Sequence, residues 1–156
     1  MKKFTWILFS LLTIAVSVNA QEFSSTKGKF VKVAKAQTFG AMYQGTSLGV
    51  ALVNYNTFDN EYSLLFGTDN RFDEPMHFTF ETKDELVNTL RTLLQVAEDN
   101  DKGDFSFPDG STTFIYSAKA PMPCIYIKKS GFAGDGYIPK TALRKLISKV
   151  SSFEVK

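Results

Sequence analysis

Residues 82–98 read TKDELVNTLRTLLQVAE, and their apolar side chains recur with the period of an α-helix. Thr82 and Glu85 have the spacing of a capping box, in which each side chain bonds to the backbone amide of the other residue. The stretch predicts a helix at about residues 82–98 whose apolar side must be covered by the rest of the chain. That side is a stripe about 100° wide, as in a helix that lies on a sheet, and consists of Leu86, Val87, Leu90, Leu93, Leu94 and Ala97.

A strand leads directly into this helix, and the same transition recurs near the end of the chain. Residues 76–80, MHFTF, alternate apolar and polar side chains, which predicts a strand with one buried face and with His77 pointing away from the core. Pro139 follows the strand-like pair at 137–138 and suits the first turn of a helix. A second helix is therefore predicted at about residues 139–150, with a stripe of Ala142, Leu143, Leu146, Ile147 and Val150.

Further strands are predicted on both sides of the first helix. Short runs rich in β-branched and aromatic residues, bounded by Asn, Asp, Gly and Pro, indicate them. They are residues 30–37, 48–55 and 61–67 in the first half, and the segments starting at 105, 112, 124 and 137 in the second half. The chain therefore passes twice through strands that end in a helix, although the two halves share negligible residue identity.

This order favours an α+β fold, because the connections are too short and too few for a wound parallel sheet. We predict a two-layer sandwich in which a mainly antiparallel sheet of about six or seven strands carries both helices on one face. Residues 30–156 would form this single globular domain. The opposite face would be left for tyrosines, some of them partly exposed: Tyr43, Tyr55, Tyr62, Tyr116 and Tyr126.

The first 20 residues have the layout of a secretory signal peptide. Lys2 and Lys3 precede an apolar run that ends in Val18, Asn19 and Ala20, a small-x-small cleavage pattern. Polar residues interrupt this run, and it is shorter than the roughly 20 apolar residues that a membrane span requires. We expect residues 1–20 to be removed on export to the bacterial periplasm or the extracellular space. The mature chain would then begin with a polar leader at residues 21–29 and would contain no membrane span.

Export also changes the charge balance. Two of the 18 Lys and Arg residues lie in the expected signal peptide, so 16 basic residues remain against 16 acidic ones. Nucleic-acid binding relies on the neutralisation of phosphates, so this neutral chain predicts no nucleic-acid partner. The basic residues concentrate at Lys140, Arg144, Lys145 and Lys149, a spacing typical of a solvated helix face.

Cys124 and His77 are the single cysteine and the single histidine of the chain. One cysteine cannot form an intramolecular disulfide, and alternation in its predicted strand favours a small buried side chain beside Tyr126. A nucleophilic dyad would have to combine these two residues. Neither a Gly-rich elbow nor a following helix N-terminus is present to activate the thiol, so we expect no catalysis from this pair.

The loop at residues 68–75, TDNRFDEP, concentrates the carboxylates Asp69, Asp73 and Glu74 around Arg71. Clustered carboxylates can bind Ca²⁺, but their spacing here follows no cation-binding loop. We therefore expect an acidic connection between strands and assign no metal site.

Two other segments superficially suggest ligand binding. Residues 99–104 begin like an EF-hand loop, but Gly103, Asp104 and Gly110 occupy its fifth, sixth and twelfth positions, where the template requires an oxygen ligand, glycine and glutamate. Residues 131–136, GFAGDG, match neither the dinucleotide fingerprint nor the phosphate-binding P-loop. We expect a connection and a tight turn, and no cofactor.

By exclusion, the sequence favours an exported non-catalytic domain that acts as a binding or interaction module of the bacterial envelope, with a protein, peptide or glycan partner. No catalytic, cofactor-binding or metal-binding residue is assigned. One alternative is a small secreted hydrolase that uses Asp69, Asp73 or Asp135 with Glu74 as general acid and base. Another is an assembly subunit that pairs with a second chain through an open sheet edge.

Overall fold

The computed structural model describes residues 30–37, 50–70, 72–118 and 123–155. Within these residues the chain forms four strands and a helix, and then four more strands and a second helix. The first half contains β1 (Phe30–Gln37), β2 (Val50–Asn56), β3 (Glu61–Phe66), β4 (Met76–Phe80) and α1 (Lys83–Asp99). The second half contains β5 (Lys102–Ser106), β6 (Thr112–Ala118), β7 (Cys124–Lys128), β8 (Gly136–Pro139) and α2 (Lys140–Ser151). The expected signal peptide, the polar leader and Tyr43 lie outside the described residues.

The strands form two separate antiparallel sheets. β1 to β4 pair in sequence order in one four-stranded sheet, and β5 to β8 do the same in another. The α+β class is confirmed, but the prediction of one sheet with six or seven strands is wrong. The physical reason is that α1 carries the chain away from β4 before β5 begins, so each half pairs only its own consecutive strands. Among the described residues, an isolated bridge between Thr68 and Gly136 links the two sheets.

Helix α1 begins as the capping box predicts. Thr82 Oγ1 accepts from the Glu85 amide at 3.2 Å, and Glu85 Oε2 accepts from the Thr82 amide at 3.3 Å. At the other end, Asn100 has a left-handed conformation with φ 60°, and its amide donates to the Val96 carbonyl. Asn is one of the few residues that adopt this conformation readily at a helix end. Local sequence therefore determines both ends of the helix.

Each helix packs on the sheet of the other half. Helix α1 contacts β6 and β7 as well as β4, whereas α2 contacts β1 and β2 as well as β8, and the helices pack along each other. Between the sheets, Phe78 of β4 stacks on Phe107 after β5 with ring centroids 3.8 Å apart. The buried residues of both halves form one continuous core. In the described part of the chain, neither helix has the length and apolar character that a membrane crossing requires.

Tyr55 and Tyr62 lie in the core, so their prediction as outward-facing residues is wrong. They are 7% and 6% exposed, and their ring centroids are 4.9 Å apart. Phe153, just after α2, covers both rings at centroid distances of 6.3 and 6.5 Å. The predicted strand at residues 48–55 is apolar on both sides, so its sequence does not indicate which alternate positions face inward.

Candidate functional site

A row of tyrosines crosses the second sheet on the face away from the core. The strand register places Tyr116 of β6 opposite Tyr126 of β7, and Tyr126 opposite Tyr137 of β8. The isoleucines next to them along these strands are buried in the core. All three tyrosines are half-buried, and Phe114, two residues before Tyr116, is 40% exposed. We refer to Phe114, Tyr116, Tyr126 and Tyr137 as the tyrosine face.

The rings of the tyrosine face are held by one another and by a carboxylate. Tyr116 and Tyr126 are nearly parallel, with an interplanar angle of 7° and centroids 5.0 Å apart, and Tyr137 lies 5.8 Å from Tyr126. The Tyr116 hydroxyl donates to Asp135 Oδ2 at 2.6 Å. Tyr126 therefore covers one face of the Tyr116 ring, and the strand register places Lys102 of β5 opposite Tyr116 on its other side.

A shallow groove of about 680 Å³ runs beside Tyr116, a volume within the range of about 300–1,000 Å³ that is usual for small-molecule sites. Its aromatic part is formed by Phe114 and Tyr116. Two carboxylates and two ammonium groups among the other lining residues give it a formal charge of zero. The polar lining consists of Asn100, Asp101, Lys102, Ser117, Lys128 and Asp135.

The phenols of the tyrosine face stay protonated at neutral pH. Burial, followed by the hydrogen bond to Asp135 and the charge of that carboxylate, raises the pKa of Tyr116 above its ordinary value of 10.0. Burial, followed by interaction with Cys124, raises the pKa of Tyr126 to about 12. The pKa of Tyr137 is also raised, first by burial and then by the negative charge of Asp69. The face therefore presents neutral hydroxyl groups and no phenolate.

Cys124 is buried beside the tyrosine face and is poorly suited to act as a nucleophile. Its side chain is 2% exposed, and burial raises the pKa of the thiol. The thiolate is the reactive form of cysteine, and both burial and the raised pKa disfavour it at Cys124. His77 is exposed on β4 of the other sheet. The predictions of a buried Cys124 and an outward-pointing His77 are thus confirmed.

The acidic loop at residues 68–75 and the glycine-rich bend at residues 131–136 bind to each other. Asp73 accepts from the Gly134 amide at 2.8 Å, from the Ala133 amide at 3.2 Å and from the Thr68 hydroxyl at 3.0 Å. These donors, with the Gly134 amide first, lower the pKa of Asp73. Successive amides that point to one position form an anion-binding concavity. The bend therefore holds an anion, and this anion is the carboxylate of Asp73. We refer to this pairing of the two connections as the clamp.

Asp69 adds a second link to the clamp. Its carboxylate accepts from the Asp135 amide at 2.8 Å, and its own amide donates to the Asp135 carbonyl at 3.0 Å. The two segments run so close together that a Cβ on Gly134 would clash with the Asp69 carboxylate and lie 2.6 Å from the Asn70 amide nitrogen. The bend thus requires glycine at this position because of the neighbouring loop.

The carboxylates considered for a hydrolase are brought together but are occupied. Asp69 and Asp73 accept backbone amides, and Asp135 accepts the Tyr116 hydroxyl. Glu74 is exposed, and Arg71 lies outside the described residues. Nowhere in the described ranges do three His, Cys, Asp or Glu side chains come together in a way that could hold a metal ion.

Residues 99–104 connect α1 to β5 and are anchored to β6. Asn100 Oδ1 accepts from the Ser117 hydroxyl at 2.9 Å, and the Asp101 carbonyl accepts from the Ser117 amide at 3.2 Å. These bonds fix one wall of the groove. The segment thus acts as the connection that the sequence predicts.

The basic residues of α2 lie mostly in solvent. Arg144, Lys145 and Lys149 are exposed and Lys140 is half-buried. Arg144 pairs with Glu98 of α1 at 2.6 Å, with side chains 59% and 39% exposed. Water and salt weaken such an exposed pair, so it adds little to stability.

Phe114 and Tyr137 are the residues of this site that sequence reasoning missed, whereas Asp135 was considered only for the hydrolase alternative and not as a partner of Tyr116. Alternation with the buried Gly136 and Ile138 could have placed Asp135 and Tyr137 on one face. The register that aligns Tyr137 with Tyr126 is not contained in local sequence. Of the tyrosines expected on an outer face, Tyr116 and Tyr126 do lie there.

No known protein family matches the chain, and no characterised protein or solved structure does so either. Function must therefore be argued from the geometry of the site.

Proposed function

We propose that the chain is an exported, non-catalytic binding module of the bacterial envelope, and that the tyrosine face is its contact surface. The main support is the cross-strand row of Tyr116, Tyr126 and Tyr137, which remains half-exposed on a sheet face next to a groove. Tyrosine combines a large apolar ring with a polar tip and is enriched at interfaces. An aligned row held by stacking offers this contact area with little ordering cost on binding.

The chemistry of the face favours binding over catalysis. A general base works best with a pKa near the operating pH, whereas burial and Cys124 raise the pKa of Tyr126 to about 12. The thiol of Cys124 is buried, and the carboxylates of the hydrolase hypothesis accept backbone amides or the Tyr116 hydroxyl. A binding role requires none of these groups to react.

The proposed location rests on a different part of the chain. The signal-peptide pattern in residues 1–20 lies outside the described residues and supports export by its sequence alone. Amino-terminal sequencing of the protein recovered from outside the cytoplasm should begin at Gln21. Recovery of a chain that begins at Met1 only from the cytoplasm would contradict export.

Capture of a partner by the mature chain tests the contact surface. Residues 21–156, immobilised and exposed to envelope extract, should retain a partner, and the double variant Phe114→Ala/Tyr116→Ala should lose it. Phe58→Ala is the matched control, because Phe58 is also an exposed aromatic residue, at 77%, but lies in the β2–β3 turn of the other sheet. Circular dichroism of each variant verifies that the fold is kept.

Retention that is equal for wild type and the double variant would show that the tyrosine face is not the contact surface. Turnover in a hydrolase substrate screen, abolished by Asp135→Asn but kept in Phe58→Ala, would instead favour the carboxylate enzyme. Loss of retention in both the double variant and Phe58→Ala would indicate nonspecific adhesion of aromatic residues, and would also count against the proposal.

A further inference from the structure

The charge of the groove beside Tyr116 limits the ligands that it suits. Lys102 and Lys128 are balanced by Asp101 and Asp135. A polyanion is attracted by an excess of basic groups, and a cationic ligand by an excess of carboxylates. The groove has neither excess, but it offers both hydrogen-bond donors and acceptors. An uncharged ligand that is rich in hydroxyl groups can satisfy both kinds of group.

The aromatic part of the groove suits a ring with an apolar side. Phe114 is 40% exposed, and the half-buried Tyr116 also lines the groove. The negative face of an aromatic ring attracts the positive edges of C–H bonds. A sugar ring has one such C–H side, and its hydroxyl groups lie around the rim. The ring can therefore pack on Phe114 and Tyr116 while its hydroxyls reach the charged groups of the groove.

The known modes of peptide docking fit this surface less well. A peptide that adds a strand needs an open sheet edge. β6, which carries Phe114 and Tyr116, is paired on both sides, so such a peptide would pair with the edge strand β5 and not lie on these two rings. A docked amphipathic helix needs an apolar groove, whereas six of the eight lining residues here are polar or charged.

These observations lead us to infer that the tyrosine face binds a neutral glycan. One sugar ring packs on Phe114 and Tyr116, and the hydroxyl groups of the glycan bond to Asp101, Asp135 and Lys128. This inference rests on the proposed function and specifies its ligand class.

Binding of charge-matched sugar chains tests this inference directly. The probes are the hexasaccharide of N-acetylglucosamine, which is neutral, its deacetylated cationic form, and anionic hexagalacturonate. The only tryptophan, Trp6, lies in the expected signal peptide. No tryptophan emission therefore masks the tyrosine fluorescence of residues 21–156, which reports binding. We expect the neutral hexasaccharide to bind best and to reduce the quenching of this fluorescence by acrylamide.

Variants then locate the bound sugar. Phe114→Ala and Tyr116→Ala should each weaken binding by about tenfold, as expected when one aromatic contact of about 1.5 kcal/mol is lost. Phe58→Ala should leave it unchanged. Protection from acrylamide in the wild type does not depend on any variant and keeps the test valid if one of them is unfolded.

A preference for either charged hexasaccharide, or neutral binding that both face variants retain, would overturn the inference. If none of the three sugars binds but the double variant still loses an envelope protein in the capture experiment, the glycan inference fails and the proposed binding function stands. If the variants abolish self-association instead, the occupant is a second copy of the chain and the inference is wrong.

Discussion

Asp135 is the residue at which the tyrosine face and the clamp meet. Its carboxylate accepts the Tyr116 hydroxyl at 2.6 Å, while its amide and carbonyl bond to Asp69 at 2.8 and 3.0 Å. The backbone bonds fix the position from which the carboxylate reaches the ring. One residue therefore transmits the geometry of the clamp to the groove.

Asp135→Asn should lower the pKa of Tyr116 towards 10.0, because the carboxylate that favours the protonated phenol is removed. The pKa of Tyr126 is also raised, to about 12, so both tyrosines change the stability of the fold with pH in the same direction. A tyrosine with a raised pKa contributes stability that is complete below pH 10, and this contribution is lost as the pH rises through the folded-state pKa. Ultraviolet absorbance of tyrosinate during an alkaline titration measures the shift.

Asp104→Asn is the control for this titration, since Asp104 is an exposed carboxylate of the same sheet and lies on β5 opposite Phe114. The tyrosinate titration curve of Asp104→Asn should match that of the wild type. An unchanged curve in Asp135→Asn would refute the assigned cause of the Tyr116 shift.

The elements differ in how far local sequence determines them. Helix α1 could be predicted to within a residue, because its cap and its apolar stripe are contained in 17 consecutive residues. The clamp could not be predicted, since it joins Asp73 to Gly134 across 61 residues. The sequence predicts each segment correctly as a connection. It does not show whether the acidic loop and the glycine-rich bend contact each other, because neither sequence carries a signal of the other.

Asp73→Asn should destabilise the protein at neutral pH and make its stability less dependent on acid. The Gly134 amide lowers the pKa of Asp73 below 3.8, so the carboxylate stabilises the fold above that pH. This contribution is lost as the pH falls through the lowered pKa. The urea midpoints of the wild type and of Asp73→Asn, measured between neutral and strongly acidic pH, should differ most at neutral pH and converge in acid.

Glu74→Gln is the control, because it removes an exposed carboxylate of the same loop and should leave the midpoint nearly unchanged. A constant difference across pH for Asp73→Asn would contradict the charged clamp.

At the level of the whole molecule, the arrangement of the helices could not be derived from their sequences. An amphipathic stripe shows which side of a helix is buried but does not identify the sheet that covers it. Both halves supply a sheet with one apolar face, so each helix had two compatible partners. The chain packs α1 on β6 and β7, and α2 on β1 and β2. The prediction of one shared sheet failed for the same reason, because strand pairing across α1 leaves no local signal.

This exchange of helices predicts that neither half folds alone. In residues 30–100 the stripe of α1 would keep its contacts with β4 but lose those with β6, β7 and α2. Leu86, Leu90 and Leu93, which are 0% exposed in the intact chain, would then lose part of their cover. Exposure costs about 1.5–3 kcal/mol for each such side chain, a large fraction of the stability of a small domain. Circular dichroism of residues 30–100 and of residues 101–156 should therefore show no cooperative urea transition. The intact chain should show a single transition that coincides for backbone circular dichroism and tyrosine fluorescence. A cooperative transition in either isolated half would mean that its sheet covers its own helix, and the exchanged packing would then be wrong.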